Sequence, residues 1–175
     1  PQEAAQLVAP IGSLDRQEMI NATWRLEGMS VLAWALGVAD LPAHDRPVEG
    51  LRMCISLGLL SREKPMLLEL PQRRTPEEVA EMEGRLLGIH WRMVDYRSQP
   101  ARLDFRAVAA NNWSGGWDVS EVPLVDGDLA IRGVRVDLAD AAARNETESI
   151  ARERHQAINW VMGRSPSYST APSDT

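Results

Sequence analysis

Three polar strings interrupt stretches that otherwise read as apolar helix: Trp24-Arg25-Leu26-Glu27, Ile89-His90-Trp91 with Tyr96-Arg97, and Glu153-Arg154-His155 with Asn159-Trp160. An imidazole beside a carboxylate can act as a general base, and an arginine fork can hold a carboxylate in two parallel hydrogen bonds. Arg25 and Glu27 are two residues apart, so on a helix they point to different sides and each needs a partner from another segment. Glu83, His90 and Arg97 recur every seven residues, which returns them to nearly one helix face. Arg154 falls inside the apolar stripe of Ile150, Ala151, Ala157, Ile158 and Val161. An unpaired internal charge is prohibitively costly, so these groups are expected to meet between helices, with Glu27 pairing with Arg154 or Arg97.

The candidate set is therefore Arg25, Glu27, Glu83, His90, Arg97, Glu153, Arg154, His155 and Asn159. Its first reading is a structural network that fixes helix register. Its second is a ligand pocket between helices around His90 and His155, and its third is catalysis there. A separate candidate is the loop 111–118, where Trp113 and Trp117 flank Gly115-Gly116. Exposed tryptophans would make it a contact loop; folded back, they would join the core.

The elements that must position these groups are mostly helical. A short helix is expected over Glu3 to Val8, then a long one capped by Ser13 and running to about Val38. From Trp24 the long helix is apolar on nearly every side, the mark of a buried central helix. Pro47 opens a second helix over about Val48 to Leu60. Thr75-Pro76-Glu77-Glu78 is a capping box with proline at the first helical position, and its helix continues to about Arg97. From Ala101 to Val136 the helical period is lost. Asp126-Gly127-Asp128 and Arg132-Gly133 punctuate three short apolar pieces there as hairpin turns. A last helix spans about Leu138 to Met162, stopped by Gly163. The fold class expected is mainly α, a helical bundle-like single domain of about four principal helices with a small β-hairpin or meander insertion at about 119–136. That domain covers 1–163, and the Ser/Thr/Pro-rich tail 164–175 is irregular unless it docks.

Composition removes several function classes. The 175 residues carry a net charge of −6, without the basic excess of nucleic-acid binders. Of the 19 basic residues only Lys64 is lysine. The longest apolar run, Met29 to Ala39, is too short to cross a bilayer, so no membrane partner is expected. One cysteine, Cys54, excludes an internal disulfide or a cysteine-rich zinc cage. Glu-x-x-His, His-Glu-x-x-His, a phosphate-binding glycine loop and a nucleophile elbow are all missing. No catalytic residue, metal or cofactor is therefore assigned, and cytoplasmic is the default compartment.

The segments Trp24 to Pro42 (WRLEGMSVLAWALGVADLP), Glu77 to Arg97 and Ile150 to Gly163 occur in an order that resembles a bacterial family, domain of unknown function 4272. VDGDLAIRGVRV, ahead of the last helix, looks like its longer members. The family has more helical sequence ahead of the first motif, which implies a part preceding Pro1. Members often end in Trp-Asp followed by Asp-Thr; this chain has Tyr168-Ser169 and keeps Asp174-Thr175. The resemblance implies a mostly helical fold and no assigned activity. The expected function is a non-enzymatic interaction or regulatory module with a protein partner. The alternative is a small-ligand-binding or hydrolytic protein.

Overall fold

The long helices begin at side-chain caps written into the sequence. A computed structural model describes residues 8–10, 12–60, 72–112 and 115–175. The short helix expected over 3–8 lies, except for Val8, outside them, as does Trp113. Helix α1 is Arg16–Ala35, with Asp15 rather than Ser13 as its cap. Asp15 accepts from the Glu18 amide at 2.8 Å while the Glu18 carboxylate accepts from the Asp15 amide, so the carboxylate pair outcompetes a hydroxyl. The Ser13 hydroxyl instead donates to the Pro10 carbonyl. The helix ends at Gly37, whose φ of +69° lets its amide reach Trp34 O and the Val38 amide reach Ala33 O. Helix α2 is Gly50–Ser56, shorter than expected because Gly58 turns the chain at φ +66°.

Helix α3, Pro76–Ser98, starts at the Thr75/Glu78 capping box. The stretch after it is not free of helix: α4, Phe105–Asn111, is capped by the Asp104 carboxylate on the Ala107 amide. At two turns it shows only Phe105 and Ala109 as an inward pair, too little for a period to register.

Strands β1 (Leu124–Val125), β2 (Asp128–Ile131) and β3 (Val134–Arg135) form an antiparallel meander. Both two-residue turns have positive φ throughout: Asp126 and Gly127, then Arg132 and Gly133. That is the twist-matched hairpin turn those dipeptides favour. Helix α5, Ala141–Val161, opens at Asp140 and stops at Gly163.

Helix α5, not α1, is the central one: it packs against α1 on one side and α3 on the other. Val31 and Trp34 of α1, Leu86 of α3 and Ala157 and Ile158 of α5 make one apolar cluster. Ile89 and Met93, Phe105, Trp117, Leu129, Ile131, Val136 and Ala151 make a second, which seats α4 and the sheet against α3 and α5. The apolar surplus of α1 lies along an open hollow of about 720 Å³ bounded by Leu32, Ala35, Leu36, Val79 and Trp160. No helix among the described residues is long and apolar enough to cross a membrane.

Candidate functional site

Because α5 has a neighbour on each side, its polar residues divide between a seam against α1 and a groove against α3. In the seam, Arg154 is almost fully buried and pairs with Glu27 through Nε at 3.0 Å and Nη2 at 2.8 Å. Its remaining donors reach backbone carbonyls of the segment after α1: Pro42 at 2.7 Å, Ala43 at 3.1 Å and Arg46 at 2.9 Å. The second Glu27 oxygen accepts from the Val48 amide at 2.7 Å. A single guanidinium thus binds α1, the 42–48 segment and α5 together. Burial draws the Arg154 pKa below its ordinary value, against the opposing pull of Glu27.

Two residues before Glu27 on α1 and one before Arg154 on α5, Arg25 donates to Glu153 at 2.6 Å. The same Glu153 oxygen accepts from the Tyr168 hydroxyl at 2.8 Å, and the Arg25 guanidinium lies 5.0 Å from the Tyr168 ring centre. Burial first, then the Glu153 charge, drives the Tyr168 pKa upward, so the hydroxyl stays a donor. The tail therefore docks, through a short 3₁₀ turn at Tyr168–Thr170.

His90 and His155 face each other at the α3–α5 contact, Nδ1 to Nδ1 at 3.2 Å. Burial is the main cause that lowers both: His90 to about 4, helped by Arg152 and Arg97 and opposed by Asp174, and His155 to about 3, helped by His90 and Arg164. Both rings are neutral at neutral pH, and the short contact requires opposite tautomers, one Nδ1 donating and the other accepting.

His155 is sealed behind His90, whereas His90 reaches a groove of about 580 Å³. Its walls include Arg97 from α3, Asn145, Ser149 and Arg152 from α5, and Asp174 from the tail. Arg97 pairs with Glu148 at the rim. Arg152 is exposed and has no hydrogen-bond or ion-pair partner among the described residues.

The candidates thus separate. Of the two partners expected for Glu27, Arg154 is present; Arg97 is a surface residue on the groove. Glu83 also leaves the internal set and pairs with Arg164 at 2.9 Å. The seven-residue interval gave the right face but not its depth, because that face runs from the largely buried Glu83 through the core at His90 to solvent at Arg97. Asn159 ties down the tail, donating to the Pro172 carbonyl at 2.9 Å and accepting from Arg164 at 2.8 Å. Trp117, of the candidate contact loop, takes the folded-back alternative and is buried against α3. Gly84 and Gly88, one turn apart, form its seat: a Cβ at Gly88 would fall 2.9 Å from the ring. That glycine spacing was the available signal.

Sequence reasoning missed a second buried ion pair. Arg92 holds Asp128 of β2 in a bidentate pair, both contacts at 2.7 Å, and donates to Asp95 and the Ala101 carbonyl. Asp128 also accepts from the Leu103 amide. Arg92 follows Ile89 by three residues and precedes Tyr96 by four, which marks it as inward; Asp128 looked like turn punctuation. His44, in the 42–48 segment that Arg154 binds, has Nε2 2.7 Å from the Ala130 carbonyl.

Among the described residues, no cluster of three or more His, Cys, Asp or Glu side chains is arranged to hold a metal. No curated protein and no solved structure matches the chain. The profile of the domain of unknown function (DUF4272) matches residues 3–117, which takes in the first two resemblance segments and stops short of α5. The chain belongs to the DUF4272 family.

Proposed function

We propose that this domain is a non-enzymatic regulatory module that works by taking up a small polar ligand in the α3–α5 groove. The observation that carries this reading is Arg152, without a hydrogen-bond or ion-pair partner among the described residues, beside His90 in an open hollow of about 580 Å³. That size lies within the range of small-molecule sites. The buried charges of the seam support it by contrast, since Arg154 spends every donor on Glu27 and backbone carbonyls and has none left for a ligand. A non-enzymatic role is supported by the histidines, because an imidazole lowered to about 4 is a weak base near neutrality. The inward turn of Trp117 removes the main argument for its loop as a protein contact.

The test is a thermal-shift panel of common metabolites and metal ions on wild type and Arg152→Ala. The expected result is a stabilisation in wild type that Arg152→Ala abolishes. Silence across the panel, or a shift that survives Arg152→Ala, overturns the reading.

A further inference from the structure

The tail is held along its length by side chains of α1 and α5. Besides the Tyr168 contacts with Glu153 and Arg25, Gln156 donates to the Tyr168 carbonyl and Asn159 to that of Pro172, both at 2.9 Å. Gly28 of α1 makes room for this latch: a Cβ there would fall 1.9 Å from the Tyr168 hydroxyl oxygen, and its nearest neighbours are atoms of that side chain. Beyond the latch, Ser173 and Asp174 run along the groove that His90 opens into. The helices give this groove two guanidinium groups, Arg97 and Arg152, and one carboxylate, Glu148, which is already paired with Arg97. The Asp174 carboxylate adds a negative charge to this wall from a strap rather than from a helix, with no ion pair to either guanidinium among the described residues.

We infer that the groove recognises a carboxylate, that Asp174 of the strap is the chain's own occupant of it, and that a small carboxylate ligand displaces the strap. This rests on the binding role proposed above and adds the ligand class and its regulation. A guanidinium presents a planar fork of donors that suits a carboxylate, and Asn145 and Ser149 offer neutral polar contacts beside it. Tethering raises the effective concentration of the strap at the groove, so the latch sets the ligand concentration needed to open it. Weakening the latch therefore shifts the threshold without changing the groove.

The experiment labels the full chain with diethyl pyrocarbonate and reads His90 and His44 separately by mass spectrometry, with succinate as the probe. His44 lies against the Ala130 carbonyl, is not among the residues that line the groove, and serves as the internal reference. In Gly28→Ala, His90 is expected to react about tenfold faster than in wild type with His44 unchanged, and succinate protects it at about tenfold lower concentration. Asp174→Asn, an exposed substitution that leaves the latch intact, shows the same gain for succinate and covers the case in which Gly28→Ala fails to fold. Equal His90 labelling in wild type and Gly28→Ala overturns the strap as occupant. Faster labelling with no protection by succinate overturns the carboxylate class. Both failures are distinct from failure of the binding reading, which the metabolite panel decides through Arg152→Ala.

Discussion

The α1–α5 seam and the α3–α5 groove are built on one helix from the same residue types, and they differ in how far their polar groups are satisfied. Arg154 and Arg152 are two residues apart on α5 and point to opposite sides. Arg154 faces a carboxylate and three carbonyls in the interior, while Arg152 faces open space beside His90. A buried ion pair is weak evidence for net stability but strong evidence that removing one partner will be costly. An exposed, partnerless charge has the reverse character: its loss leaves the fold alone and removes a handle for a ligand. The seam accordingly holds the fold together, and the groove is where we propose that an external group binds.

The largest expected effect lies in the seam. Arg154→Met strands the Glu27 carboxylate and three carbonyls, and equilibrium denaturation should show a loss of roughly 3–5 kcal/mol. The usual rescue, making both partners apolar, should fail here. Glu27→Met with Arg154→Met removes the charges but leaves the Pro42, Ala43 and Arg46 carbonyls unpaired, so the double variant should remain about 2 kcal/mol or more below wild type. A double variant as stable as wild type would show that those carbonyls find other donors and that the seam is no more than an ion pair.

The next effect is pH dependence at the contact behind the groove. His90 and His155 are lowered when folded, to about 4 and about 3, so the unfolded chain binds more protons below its ordinary histidine pKa of about 6.5. Their contribution is present in full above pH about 6.5 and is lost as pH falls through that value toward 4. Arg152, Arg97 and Arg164 act in the same sense as burial, and Asp174 opposes them at His90. Stability measured from pH 7 to 4.5 should fall by on the order of 2 kcal/mol per histidine, and His155→Asn should flatten that slope. A wild-type profile flat over this window would place the histidines in a wetter setting than their burial implies.

Smaller effects separate the strap from the groove. Tyr168→Phe keeps the ring under Arg25 but loses the bond to Glu153, for about 1 kcal/mol by chemical denaturation. Arg152→Ala should change stability by less than about 0.5 kcal/mol while abolishing any ligand-induced shift, which sharpens the division between the two faces.

How much of this was legible in the sequence depended on whether the decisive interaction was local. Thr75 with Glu78, Asp126-Gly127 and Arg132-Gly133 act within four residues, and their capping box and hairpin turns are where the spelling puts them. That Arg25 and Glu27 must part company followed from helix geometry alone, and the structure supplies Glu153 and Arg154 as their separate partners. The bond between Arg92 and Asp128 spans 36 residues, and no local pattern names that partner. Burial of Trp117 likewise depends on a glycine seat one element away. The depth of Glu83, His90 and Arg97 was hidden for a related reason: a seven-residue repeat gives a face, while depth is set by where α5 and the tail cover it. The choice of α5 as central helix was obscured by the apolar character of α1, part of which lies along the open hollow.

Amide chemical-shift mapping of any compound that stabilises the domain tests the division between seam and groove most directly. The account predicts perturbations along α3 from His90 to Arg97, along α5 from Asn145 to Arg152 and at Ser173 and Asp174, all lost in Arg152→Ala. Perturbations centred on Glu27 and Arg154, or on the hollow beside Leu32 and Trp160, would contradict it.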